Sequence, residues 1–165
     1  MLNLTNFDIR YTNLLDSPYL REWLYSPGML HWFPMSDEKE LEDAARIWIG
    51  FSRFSASLTA TANNIPCGIG TLFLMPYRKV AHHCLFKLIV DPKFQRKGVG
   101  TSLLKNLKHL AKNYFKLELM HTEMFEGNPL IGLLKKYDFH EYAKQEKYGK
   151  EGDQYFARIL MESYL

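Results

Sequence analysis

A basic, glycine-containing segment stands between an apolar run and an amphipathic run, and its residue types suit the binding of an anion. The segment reads Gln95-Arg96-Lys97-Gly98-Val99-Gly100-Thr101. The first N–H groups of a helix have no intrahelical acceptor, and the helix dipole places partial positive charge beside them. Gly98 and Gly100 let a phosphate approach the main chain, and Arg96 and Lys97 add charge. The segment therefore predicts a phosphate or pyrophosphate site.

Three phosphate-binding patterns compete for this segment. The P-loop pattern requires a Gly-Lys-Ser/Thr ending, which the segment lacks. The dinucleotide pattern Gly-x-Gly-x-x-Gly requires a third glycine where the chain has Leu103. The third pattern, Gln/Arg-x-x-Gly-x-Gly/Ala between a strand and a helix, is matched at every defined position from Gln95 to Gly100. The third pattern is therefore favoured.

Hydrophobic periodicity places this segment within a mixed α/β fold. The predicted order is β-α-α-β-β-β-α-β-α-β-β, in one domain that covers residues 1–165. Strands are predicted at Phe7–Tyr11, Ser55–Ala62, Cys67–Met75, His83–Val90 and Lys116–Phe125, with a closing hairpin from Phe139 to Leu165 that turns between Gly149 and Gly152. Helices are predicted to begin at Asp16-Ser17-Pro18, Ser36-Asp37 and Asn128-Pro129, and the clearest helix covers Gly98–Asn113. The anion-binding segment therefore lies where the fourth strand leads into the clearest helix.

Composition excludes several classes of protein. Hydrophobic residues make up 47% of the 165 residues and charged residues 24%, which excludes a disordered chain, a collagen-like chain and a coiled-coil rod. Cys67 and Cys84 are expected to be buried free thiols, which predicts a reducing compartment and a cytoplasmic location. No metal site, secretory signal or membrane-spanning segment is predicted. The net charge of +3 is mild, and neither nucleic acid nor a membrane is a predicted partner.

Four segments together resemble the GNAT superfamily of acetyl-CoA-dependent N-acetyltransferases. "LIVDPKFQRKGVGTSLLKNL" is similar to the family's pyrophosphate loop with its flanks, and "EMFEGNPLIGLLKKYDF" is similar to its next strand and helix. "CGIGTLFL" and "GDQYFARILMESYL" resemble its third strand and its closing strand. The resemblance covers roughly residues 66–162. It implies acetyl-CoA as the cofactor and a central, mostly antiparallel sheet with a splayed parallel strand pair, flanked by about four helices.

The resemblance also implies how the cofactor is held. In such folds two parallel strands, here those ending at Val90 and Phe125, separate where one of them carries a bulge, and the pantetheine arm enters the gap. The arm would pair with free main-chain groups of Leu88, Ile89 and Val90, and the pyrophosphate would lie on the anion-binding segment. Asn128 would bond the arm or the amides of the cofactor. The implied cofactor-binding residues are Leu88, Ile89, Val90, Gln95, Arg96, Lys97, Gly98, Val99, Gly100, Thr101 and Asn128.

The reaction implied by the resemblance is direct acetyl transfer to a neutral primary amine. A main-chain N–H near Ile89 or Val90 would stabilise the oxyanion. Glu123, on the predicted strand before the short helix, is the candidate base, and some family members carry a glutamate near there. His82 or His83 is an alternative base, but on a strand the two side chains point to opposite faces, so at most one faces the cleft.

The usual acid of the family is a tyrosine, and the corresponding position here is Leu134. Tyr137, one helical turn later, is the candidate substitute, or it only packs. Glu123 and Asn128 also have interpretations without a functional role. Glu123 could be a solvated strand residue, and Asn128 could cap a helix. Because Leu134 replaces the tyrosine, a catalytically degenerate acyl-CoA-binding sensor or regulatory module is an alternative to the enzyme. An unrelated protein that binds a phosphate ligand is a third hypothesis.

The sequence leaves the amine acceptor open. It could be a small amine or amino acid, or the N-terminus or a lysine of a protein. The pair Trp32-Phe33 either lines the acceptor site or packs in the core. The expected partners are therefore the amine acceptor and, in a homodimer, a second copy of the chain.

Overall fold

A seven-stranded sheet runs through the computed structural model, which describes residues 7–165. Its strands are β1 (Phe7–Tyr11), β2 (Ser57–Ala62), β3 (Ile65–Leu74), β4 (His83–Val90), β5 (Leu119–Phe125), β6 (His140–Glu151) and β7 (Gln154–Tyr164). The spatial order is β1-β2-β3-β4-β5-β7-β6, and only β4 and β5 run parallel. The predicted fold class, a mostly antiparallel sheet with one parallel pair, is confirmed.

Four α-helices cover the two faces of this sheet in the described part of the chain. They are α1 (Ser17–Tyr25), α2 (Glu38–Gly50), α3 (Val99–His109) and α4 (Leu130–Lys136). On one face, Trp23 of α1 and Trp48 of α2 pack in a cluster that includes Ile89 of β4. On the other face, Leu107 of α3 and Leu134 of α4 belong to the larger cluster. The helices are therefore stabilised mainly by burial of one apolar side.

The helix starts follow the capping signals in the sequence. The Glu40 N–H donates to Asp37 Oδ1 over 2.8 Å, as expected for an N-cap at Asp37. α3 begins directly after Gly98. Beyond His109 the chain makes one further turn of π-helix, Leu110–Tyr114, so helical structure ends one residue after the predicted Asn113.

The closing hairpin turns later than predicted. β6 continues past Gly149, and the turn is made at Gly152, whose φ is +59°. Gly149 lies inside the strand, where a Cβ would stand 3.2 Å from Cε1 of Phe125. β5 also begins at Leu119 instead of Lys116, because Lys116 has a φ of +55°, outside the range of a strand.

The parallel strands β4 and β5 pair over only three residues before they separate. The ladder joins His83–Leu85 to Leu119–His121 and then ends. At the next level the Thr122 hydroxyl donates to the Phe86 carbonyl over 2.9 Å. The bulge implied by the resemblance is absent, because both strands keep an unbroken register with their outer neighbours throughout residues 84–90 and 119–125. A side-chain hydrogen bond therefore marks the start of the gap.

Both cysteines are buried free thiols, as predicted. Burial raises the pKa of Cys84 to about 12, and burial followed by the nearby Asp91 charge raises that of Cys67 to about 11. Between residues 7 and 165, no helix combines the length and apolarity that crossing a bilayer requires.

Candidate active site

The segment between β4 and α3 presents a row of unused main-chain donors. Arg96 has a φ of +60° and Gly98 a φ of +89°, so the chain turns twice before α3 begins. Within residues 7–165, the N–H groups from Gln95 to Thr101 donate no hydrogen bond. The Ser102 N–H is the next donor of the helix, and it bonds the Gly98 carbonyl over 3.0 Å. Unused donors at the start of a helix are suited to binding an anion.

Three hydrogen bonds between residues 90 and 95 order the chain that leads from β4 into this segment. Gln95 donates from Nε2 to the Val90 carbonyl over 3.2 Å. Asp91 accepts from the Lys93 N–H through Oδ1 over 3.0 Å, and its carbonyl accepts from the Phe94 N–H over 2.8 Å. Because these contacts order the loop before any ligand arrives, less conformational entropy is lost on binding.

A cavity of about 520 Å³ opens beside the segment, between β4, α3 and the start of α4. Val99 and Lys97 are the two predicted residues whose side chains do not line it. Val99 is buried in the core, and Lys97 extends over the ring of Phe94. The predicted residues that do line the cavity are Leu88, Ile89, Val90, Gln95, Arg96, Gly98, Gly100, Thr101 and Asn128. The volume suits a small-molecule ligand.

The main-chain groups of β4 alternate between its two neighbours. The Asp91 N–H donates to the carbonyl of Cys67 in β3 over 2.9 Å, and Ile89 is in register with Ile69. In an antiparallel ladder this alternation directs the Ile89 N–H and carbonyl toward β3 as well. The prediction that Ile89 offers a free main-chain group is therefore wrong, although its side chain lines the cavity. Leu88 and Val90 face the gap instead.

Asn128 lies at the junction of two cavities. Its Oδ1 accepts from the Leu130 N–H over 2.9 Å, so it caps the start of α4, as one of its two interpretations predicted. Its Nδ2 donates no hydrogen bond within residues 7–165 and stays available to a ligand. Gly127 beside it has a φ of +89°, and a Cβ there would stand 3.7 Å from the Trp32 ring.

The second cavity, of about 70 Å³, continues the cleft on the other side of Asn128. Glu123 reaches it from β5, and Arg158 of β7 donates from Nη1 to Glu123 Oε2 over 2.5 Å. The other Arg158 nitrogen, Nη2, donates to Gln145 Oε1 over 2.7 Å. The guanidinium carbon also lies 4.0 Å from the centre of the Tyr148 ring. Glu123 Oε1 therefore stays free in the described part of the chain while Oε2 is held.

Lys87 of β4 lines the same small cavity. Its Nζ lies 5.1 Å from the ring centre of Phe73 and 5.9 Å from that of Trp48. Burial lowers the pKa of Lys87 below its ordinary value, and the Glu123 charge opposes this shift. Neither Lys87 nor Arg158 was identified from the sequence. Strand alternation was the available signal, since it places both residues on one face of the sheet.

The remaining acid and base candidates do not reach either cavity. The Tyr137 ring lies outside the cleft, where the Lys105 ammonium stands 5.4 Å from its centre. Leu134 is fully buried. His83 Nδ1 is 3.0 Å from His121 Nε2, and burial followed by the charge of His83 lowers the pKa of His121. Of the predicted proton-transfer groups, the structure brings only Glu123 to the cleft.

A comparison with protein families identifies the chain. The model of the acetyltransferase (GNAT) family matches residues 17–139, about three quarters of the length. The chain belongs to the GNAT acetyltransferase family. Acetyl-CoA is the cofactor of this family, as predicted. No curated protein is similar enough in sequence to count as a match.

Solved GNAT structures share this fold at low sequence identity. A protein assigned as a phosphinothricin N-acetyltransferase is 15% identical with a TM-score of 0.84, covering 97% of this chain and 99% of its own. A Salmonella typhimurium protein assigned as an acetyltransferase, solved with its cofactor acetyl-CoA, is 18% identical with a TM-score of 0.80, covering 96% and 94%. The ribosomal-protein-S18-alanine N-acetyltransferase from Escherichia coli is 18% identical with a TM-score of 0.71, again covering 96% and 94%. These GNAT neighbours support the fold and leave the acceptor open.

Proposed function

We propose that this protein is an N-acetyltransferase that moves an acetyl group from acetyl-CoA to a primary amine. One observation carries the proposal: unused main-chain donors from Gln95 to Thr101 open onto a cleft that leads to Glu123. When bound, acetyl-CoA supplies an acetyl group activated as a thioester. Both the donors and the cleft fit an elongated ligand with an anionic end.

The main-chain N–H groups from Gln95 to Thr101 and the Arg96 guanidinium would hold the pyrophosphate. A hydrogen bond to a charged group contributes about 1.5–3 kcal/mol. Micromolar affinity corresponds to about 8 kcal/mol, so a few such bonds are enough. Main-chain groups of Leu88 and Val90 and the Asn128 amide would hold the pantetheine arm.

Glu123 is the group that would accept the proton of the attacking amine. Its Oε1 is free within the described residues, and the bond from Arg158 to Oε2 fixes its orientation. No side-chain acid among the predicted candidates reaches the cleft. A departing thiol needs little help, because a free thiol has a pKa of about 8.5.

Calorimetric titration with acetyl-CoA, with ATP and NADH as controls, tests the cofactor assignment. Selective micromolar binding is expected, and preferential binding of ATP or NADH would contradict it. Thiol release against a panel of amines then tests the transfer reaction.

A sensor that binds acyl-CoA without catalysis is the second candidate. The burial of Leu134 and the position of Tyr137 outside the cleft favour it, since neither residue brings a phenol into the cavities. It predicts acetyl-CoA binding with no release of the coenzyme A thiol in the presence of any amine.

A cytoplasmic location and a homodimer stay predictions.

The solved relatives do not select the acceptor. One is assigned to phosphinothricin and another to the alanine of a ribosomal protein. A small amine and a protein N-terminus both remain within the proposed function.

A further inference from the structure

Lys87 and Glu123 stand opposite each other across the gap between β4 and β5. The parallel ladder ends where Leu85 is in register with His121, and two further residues lead to Lys87 and Glu123. Glu123 nevertheless bonds Arg158. The Lys87 ammonium makes no hydrogen bond or ion pair within residues 7–165, although the residue is half-buried.

Aromatic rings take the place of an anion beside Lys87. The rings of Phe73 and Trp48 attract a cation through their faces, but they accept none of its three N–H donors in an ordinary hydrogen bond. Withdrawing an ammonium from water without an acceptor is costly. A ligand that brings an anionic oxygen to Nζ would remove this cost, so the position is suited to binding an anion.

The charges around the small cavity point the same way. Three charged side chains line it, namely Lys87, Glu123 and Arg158. Glu123 and Arg158 neutralise each other through their ion pair. One formal positive charge is left, at Lys87. An acceptor that carries only positive charges is therefore disfavoured at this end of the cleft.

We infer that Lys87 binds a carboxylate of the acceptor, so that the acceptor is a small amine that carries a carboxylate, such as a free amino acid. This inference rests on the proposed function and names its substrate class. The small cavity, of about 70 Å³, has room for a compact head group beside Lys87.

Matched pairs of acceptors test the inference by thiol release from acetyl-CoA. Alanine is compared with ethylamine, phenylalanine with phenethylamine, and lysine with cadaverine, so that each pair differs by one carboxylate. The wild type should prefer the carboxylate member of at least one pair by about tenfold or more in kcat/KM. Lys87→Gln should lower kcat/KM for that member about 10- to 100-fold and change its partner by less than about twofold.

Two variants serve as controls. Lys79→Gln removes the same charge from an exposed lysine outside both cavities and should change nothing. Lys87→Arg keeps the charge and should retain the preference. Unchanged acetyl-CoA affinity in Lys87→Gln would show that the variant is folded. If that variant does not fold, the comparison of matched pairs in the wild type still decides.

Binding without turnover separates this inference from the proposed function. The same pairs are titrated into protein saturated with coenzyme A. If the wild type binds the carboxylate member and Lys87→Gln does not, the anion site is supported. This holds even if no thiol is ever released, and in that case only the transferase proposal fails. Three results would overturn the inference. The first is equal binding of both members of each pair, and the second is an equal loss of both in Lys87→Gln. The third is better turnover of a peptide with an N-terminal aspartate than of every free amino acid.

Discussion

The Thr122 hydroxyl donates to the Phe86 carbonyl over 2.9 Å, at the level where β4 and β5 stop pairing. In a continued parallel ladder a main-chain N–H of β5 would occupy that carbonyl. The hydroxyl therefore satisfies a buried acceptor without drawing the two strands together. The gap proposed to take the cofactor arm begins at this bond.

Thr122→Val should destabilise the fold and weaken cofactor binding. The valine is similar in shape but leaves the buried Phe86 carbonyl without a donor, which costs about 1–3 kcal/mol. Urea unfolding should show this loss, and calorimetry should show a higher Kd for acetyl-CoA. Thr122→Ser keeps the hydroxyl and should stay close to the wild type. A Val variant as stable as the Ser variant would contradict the assigned role.

Gly98→Asp should abolish acetyl-CoA binding in calorimetry. Gly98 has a φ of +89°, so any side chain costs about 1–2 kcal/mol there, and the carboxylate adds repulsion toward the pyrophosphate. Gly98→Ala isolates the strain and should bind more tightly than the Asp variant. Gly132→Ala, inside α4 with open space around it, is a matched control with unchanged affinity. Wild-type affinity in Gly98→Asp would remove the pyrophosphate assignment.

Glu123→Gln should lower turnover while leaving the acetyl-CoA Kd within about twofold. General-base catalysis contributes about 10²–10⁴-fold, so a loss in that range is expected in the thiol-release assay. Glu126→Gln makes the same change at an exposed ion pair with Lys144 and should keep full turnover. Normal turnover in Glu123→Gln would exclude this carboxylate as the base.

Asp16 should govern part of the stability toward acid. Burial raises its pKa, but hydrogen bonds from Arg10, the Asn13 N–H and Thr59 outweigh burial and hold the pKa below its ordinary value. A lowered folded-state pKa contributes stability above the unfolded value of about 3.9, and this stability is lost as pH falls below it.

Asp16→Asn should therefore be less stable than the wild type at pH 7, and the difference should shrink as the pH falls below about 4. Urea unfolding at a series of pH values measures this convergence. Asp8→Asn, at an exposed position on β1, is the control and should follow the wild-type curve. A difference that stays constant down to pH 2 would rule out the ionised Asp16 as its source.

Local patterns predicted the loop and helix start of the candidate site better than the contacts around Glu123. The periodic leucines of α3 and the glycine spacing before it are short-range signals, so the helix start and its donors follow from the sequence. Arg158 meets Glu123 across 35 residues, through the register of β5 with β7. Spacing along the chain could not reveal that contact. Tyr137 failed as a candidate because α4 turns it toward Lys105 of α3.

The half of the cleft proposed to hold the cofactor offers largely main-chain groups, at Leu88, Val90 and the start of α3. Such groups are present whatever side chain the residue carries, so most of these positions can change in evolution without loss of acetyl-CoA binding. The acceptor half consists of side chains, and one substitution at Lys87 or Arg158 changes its charge. A lineage of such proteins can therefore acquire new substrates by single mutations while its cofactor stays the same.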